Sequence, residues 1–88
     1  MARRRTYPKP VSTEDERAAL FAFQGGACAI CGEVTELFTD HSYRTGKTRG
    51  LLCRQCNTAL GMLKDSPTRL RKALVYLRNP PAKEISCA

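Results

Sequence analysis

The chain has 88 residues and a mass of 9.8 kDa, which allows one small domain and excludes a multidomain enzyme. Fifteen Lys and Arg against eight Asp and Glu give a formal charge of +7 and a pI near 9.5, a balance that suits a polyanionic partner, nucleic acid first, and equally a solvated cationic surface. Three Phe, three Tyr and no Trp make a thin core in a chain that buries only about 60% of its unfolded surface, so the five cysteines are the expected staple.

Residues 1–11 hold Arg3, Arg4, Arg5 and Lys9 with Pro8 and Pro10, a composition expected to form a flexible basic arm. It carries charge without a following apolar segment, so it does not read as a secretory signal, and no stretch approaches the roughly 18 apolar residues of a membrane span. A reducing, cytoplasmic setting is the expectation. Ser12 and Thr13 then offer N-caps, acidic residues follow at 14–16, and Ala18, Ala19, Leu20, Phe21 and Phe23 give a first helix an apolar face before Gly25 and Gly26 stop it. Phe21, Phe23 and Phe38 are assigned to the core.

Between residues 27 and 56 the pattern changes to four cysteines around a hairpin. Leu37 to Thr39 and Thr48 to Leu52 read as short strands joined around Gly46. A second helix is expected from about Arg54 to near Asp65, with Cys56, Leu60 and Leu63 on one face and Gly61 as a weak point. Ser66 caps a third helix with Pro67 at its first position, and Leu70, Ala73, Leu74 and Leu77 form its apolar stripe up to the stop at Asn79-Pro80-Pro81. One domain over 12–79, followed by a tail at 80–88, is the expected organisation.

Cys28, Cys31, Cys53 and Cys56 form two Cys-x-x-Cys knuckles separated by 21 residues, the spacing of a four-thiolate zinc site. Two disulfides would need an exported chain, and a thioredoxin-like dithiol needs one such pair inside a βαβ unit, which is not present. Four thiolates close the coordination shell, so this zinc is structural, and chemistry must come from other residues. Binding it lowers the formal charge by two and leaves the protein basic. Cys87, in the tail, reads as a free thiol.

His41, the single histidine, directly follows Asp40 at the end of the first strand, and Asn57 directly follows the last cysteine of the second knuckle. A carboxylate and an amide oxygen suit a hydrated Mg²⁺ that also takes a phosphate oxygen, and the neighbouring imidazole can serve as general base near neutral pH.

These residues resemble the phage recombination endonuclease VII family of HNH nucleases, which share the ββα-metal fold. The resemblance rests on CAICG at 28–32, DH at 40–41, TGKTRGLLC at 45–53, CN at 56–57, LG at 60–61 and the leucine-rich stretch ending in YL at 76–77. It implies a small, zinc-stabilised α+β fold, with a ββα-metal core of hairpin and helix flanked by an N-terminal and a C-terminal helix. It further implies that Asp40 and Asn57 hold a catalytic Mg²⁺ or Mn²⁺, that His41 is the general base, and that phosphodiester hydrolysis in DNA leaves 5′-phosphate and 3′-hydroxyl ends. A phage origin would place the protein in the host-cell cytoplasm. Tyr43 stands where many relatives carry a second histidine. The namesake resolvase has a further domain for dimerisation and junction binding, so the resemblance carries cleavage chemistry and not junction specificity.

Arg44, Lys47, Arg49 and Arg54 surround the proposed site and are expected on flanking phosphates, with Arg3, Arg4 and Arg5 following the groove or backbone. Arg69, Arg71, Lys72 and Arg78 read as the solvated face of the third helix. Phosphate contacts carry no sequence information, so low sequence specificity and a steep salt dependence are expected. A monomer that nicks and a homodimer formed through the first helix that cuts both strands are both compatible with the sequence. The alternative is a non-catalytic zinc-binding module that recognises nucleic acid, which does not need Asp40, His41 and Asn57. A protein-interaction zinc knuckle leaves the basic balance without a role.

Overall fold

Glu14, Asp15 and Glu16 fill the first turn of a helix, where unpaired N–H groups favour negative charge. This helix, α1 (Glu14–Phe23), opens the computed structural model, which describes residues 14–85. The caps expected at Ser12 and Thr13, the arm at 1–11 and Cys87 lie outside the described residues. The helix stops where the Gly26 N–H donates to the Phe21 carbonyl at 2.9 Å.

One face of α1 meets the rest of the protein. Arg17 donates to Thr39 Oγ1 at 3.1 Å and to the Leu37 carbonyl at 2.9 Å, and Leu20 packs on the core. Phe23, expected in the core, is 88% exposed, and Phe21 is half exposed. The reason is angular: Phe23 lies about a quarter turn from the face that Arg17, Leu20 and Gln24 present.

Strands β1 (Phe38–His41) and β2 (Thr48–Leu52) pair antiparallel, with Phe38 opposite Leu52, Thr39 opposite Leu51 and Asp40 opposite Gly50. The first strand begins one residue later than its sequence suggests and continues through Asp40 and His41, so both enter the sheet. His41 then pairs with Thr48, which leaves Arg49 as the extra residue of a β-bulge. The strands turn where Gly46, at φ +76°, donates to the Ser42 carbonyl at 2.8 Å, a conformation that a side chain rarely tolerates.

Leu37, Leu51, Leu52, Cys28 and Cys53 form the core, with Leu20, Cys56 and Leu60 at its edge. Leu51 is fully buried, and its outward backbone is satisfied by Gln24. The Leu51 N–H donates to Gln24 Oε1 at 2.9 Å, and its carbonyl accepts from Gln24 Nε2 at 3.0 Å and from the Ala29 N–H at 3.1 Å. One carboxamide therefore does the work of a third strand at this position.

Helix α2 (Arg54–Met62) packs against both strands. It ends earlier than the expected Asp65 because Lys64 and Asp65 take left-handed backbone angles, φ 59° and 53°, and the Asp65 N–H donates back to the Leu60 carbonyl at 2.8 Å. Helix α3 (Pro67–Arg78) starts as its sequence predicts, with Ser66 Oγ accepting from the Arg69 N–H at 3.1 Å and Pro67 in the first turn. Its stripe is only half covered: Leu70 and Ala73 are partly buried, while Leu74 and Leu77 are exposed. Arg69, Arg71, Lys72 and Arg78 face solvent, as expected of a solvated face. A single 3₁₀ turn follows at Pro81–Lys83. Among the described residues no helix is long and apolar enough to cross a membrane.

Candidate functional site

The first knuckle is a tight loop in which the Gly32 N–H donates to the Cys28 carbonyl at 3.0 Å and the Cys28 N–H to the Glu33 carbonyl at 2.9 Å. Gly32 makes it possible with φ +79°. The turn aims the N–H groups of Ile30 and Cys31 at Cys28 Sγ, at 3.4 and 3.5 Å. The second knuckle repeats the device at the start of α2, where Cys53 is the N-cap and its Sγ accepts from the Cys56 N–H at 3.4 Å. The sulfur therefore sits at the positive end of the helix dipole.

The fold brings the four sulfurs of Cys28, Cys31, Cys53 and Cys56 within 4.8 Å of one another, none in a disulfide. Cys31 Sγ and Cys53 Sγ are 3.8 Å apart, and sulfurs bound tetrahedrally at about 2.3 Å from one zinc would be about 3.8 Å apart. The cluster fits a zinc ion in number, chemistry and spacing. Its electrostatics also call for a cation. Burial raises the Cys28 thiol, but the N–H groups of Cys31, Cys53 and Ile30 outweigh it and bring Cys28 down to about 6. Burial and the neighbouring Cys53, Cys28 and Cys31 sulfurs push Cys56 up to about 12. One thiolate thus forms readily while the crowded set resists further ionisation, and a divalent cation removes that conflict.

Asp40, His41 and Asn57 lie on adjoining elements, because α2 packs on β1. Asp40 is 8% exposed, and both carboxylate oxygens are engaged by Arg49, Nε to Oδ2 at 2.7 Å and Nη2 to Oδ1 at 3.1 Å. Arg49 Nη2 also donates to Asp65 Oδ2 at 3.2 Å. His41 is half-buried at the end of β1. Asn57 is half-buried in the first turn of α2, immediately after Cys56, with its N–H donating to the Cys53 carbonyl at 3.0 Å. The knuckle and Asn57 therefore share one rigid helical turn.

Arg44 and Lys47 are exposed in the β1–β2 turn, and Tyr43 is exposed beside them. Arg54 lies over the Phe38 ring, 5.3 Å from its centroid, and half-buried Phe38 is thus a platform as much as core. Arg3, Arg4 and Arg5 lie outside the described residues. Sequence reasoning put Arg49 on a flanking phosphate, and the structure places it on Asp40; Asp65 and Gln24 were not singled out at all. Opposite charges one register step apart across a hairpin are a signal that could have paired Asp40 with Arg49. Nothing local marks Asp65.

Among the described residues, a two-stranded sheet, three helices and a four-thiolate cluster define a small α+β protein with a site able to hold zinc. Residues 2–79 match the recombination endonuclease VII family, and the chain belongs to that family. It is similar to the Gene 59 protein of Mycobacterium phage D29, 44% identical over 78 residues that cover 83% of this chain and 47% of that protein. The Gene 59 protein of Mycobacterium phage L5 is 42% identical over 78 residues, covering 83% of this chain and 48% of its own length. The chain thus spans about half the length of these curated relatives. No solved structure matches it.

Proposed function

We propose that the protein is a divalent-metal-dependent DNA endonuclease of the ββα-metal, HNH type, with His41 as general base and Asp40 and Asn57 as ligands of a catalytic Mg²⁺ or Mn²⁺. The observation that carries this reading is local: Asp40 and His41 are consecutive on β1, and Asn57 stands on the first turn of the helix packed against that strand, held there by the Cys53 knuckle. The ββα core is then β1, β2 and α2. The four cysteines hold a zinc that fixes this frame and has no open position for substrate.

Asp40 and Asn57 offer one carboxylate and one amide oxygen, a hard donor set that leaves room for waters and a phosphate oxygen. When bound, the divalent ion supplies positive charge to the pentavalent phosphorus and the leaving 3′ oxygen. His41 accepts a proton from water, and that water attacks phosphorus in line. The P–O3′ bond breaks, which leaves a 5′-phosphate and a 3′-hydroxyl. Arg44, Lys47 and Arg54 contact phosphates on either side without reading bases, so cleavage has little sequence specificity. The cytoplasm, where DNA is accessible, is the working compartment.

The test is His41→Ala in plasmid cleavage. The variant is expected to lose cleavage while keeping its zinc and its retardation of DNA on a gel. Undiminished activity removes His41 from the mechanism.

A further inference from the structure

Two backbone irregularities converge on one guanidinium. The β-bulge leaves Arg49 with no residue opposite it, and bulges re-aim the side chain they carry. Lys64 and Asp65, at φ 59° and 53°, hold the turn after α2 in a left-handed conformation that non-glycine residues seldom adopt. The first irregularity directs Arg49 to both oxygens of Asp40, and the second brings Asp65 to within 3.2 Å of its Nη2.

The carboxylate is covered and its cover is not. The Asp40 side chain is 10% exposed and that of Arg49 is 40% exposed. Both line an open cleft of about 250 Å³ with Gly50 and Leu60, so an ion reaching Asp40 from solvent meets Arg49 there. Arg49 leaves only by displacement, because a guanidinium keeps its charge in proteins and donates to both oxygens of Asp40.

We propose that Arg49 is an exchangeable counter-cation: it occupies Asp40 in the ion-free protein, yields it to the divalent ion, and stays tethered by Asp65 at the cleft, where its freed guanidinium meets a DNA phosphate. This rests on the reading of Asp40 as an ion ligand. A carboxylate lone pair taken by an N–H at 2.7 Å is closed to an ion at about 2.0–2.1 Å, so the two cations compete. Arg49 is then a positioning residue, and by linkage whatever draws it onto phosphate favours the ion by the same factor.

The experiment is Mn²⁺ binding, followed by electron paramagnetic resonance without DNA, to zinc-loaded wild type, Arg49→Gln, Arg49→Lys and Asp40→Asn. Zinc content and the thermal transition are measured on each. Arg49→Gln is expected to bind Mn²⁺ about threefold to tenfold more tightly than wild type, the competition that one partly exposed ion pair exerts. Arg49→Lys, with a single-point charge in place of the fork, falls between them. Equal or weaker binding by a zinc-loaded, folded Arg49→Gln overturns the proposal and leaves Arg49 as scaffold. Should Arg49→Gln lose its zinc or its transition, Arg49→Lys decides, with binding no tighter than wild type counting against competition. Asp40→Asn separates the two readings: loss of Mn²⁺ binding supports Asp40 as the ligand, whereas binding equal to wild type, or none in any variant, overturns both.

Discussion

Zinc removal should unfold the domain. The fully described core is three leucines, Leu37, Leu51 and Leu52, closed by Cys28 and Cys53. Burying each leucine contributes about 1.5–3 kcal/mol, whereas binding a structural zinc contributes about 10–16 kcal/mol, as much as the whole stability of a typical domain. The zinc-free chain is therefore expected to show no cooperative thermal transition and to lose most of its helical circular dichroism at 222 nm. One equivalent of Zn²⁺ under reducing conditions should restore both. Ligand position grades the effect: Cys53→Ser removes a ligand that is 1% exposed, so it should cost more than Cys31→Ser at an exposed residue, although the serine can still cap α2. A zinc-free protein with an unchanged transition, or equal tolerance of the two serines, would refute the view that the metal completes this core.

Gln24→Ala leaves the buried Leu51 N–H without its acceptor and takes donors from the Leu51 and Ala27 carbonyls. It should cost about 1–3 kcal/mol in urea unfolding of the zinc-loaded protein, and a change under about 0.5 kcal/mol would deny that Gln24 stands in for a strand. Arg54→Ala removes the charge over Phe38 and should lower stability by about 0.5–1 kcal/mol. The same variant should reduce the slope of log K against log salt for DNA binding by about one; an unchanged slope would take Arg54 off the phosphates.

Features set by neighbouring residues were legible in the sequence. The two Cys-x-x-Cys knuckles close because two intervening residues suffice for a turn, and Gly32 supplies the one left-handed angle required. Ser66-Pro67 starts α3 for reasons contained in three residues. Features set by tertiary register were not. The strand at Phe38–His41 gained its last two residues from pairing with β2, and the pairing of Arg49 with Asp40 depends on a bulge that no local preference announces. Periodicity found α3 but not its surroundings: the Leu70, Ala73, Leu74 and Leu77 stripe is real, and half of it faces solvent. Phe23 was misplaced because α1 touches the sheet through a polar pair, Arg17 and Gln24, as much as through its apolar residues. Two long side chains that hydrogen-bond across more than 20 residues leave no periodic trace.

Plasmid cleavage by the zinc-loaded protein, with and without added Mg²⁺ or Mn²⁺, tests the central claim most directly. Zinc alone should support no cleavage, and either added ion should produce nicked or linear DNA that Asp40→Ala does not. A folded, zinc-loaded protein that retards DNA and cuts it with neither ion would contradict the account and make the domain a zinc-binding recognition module.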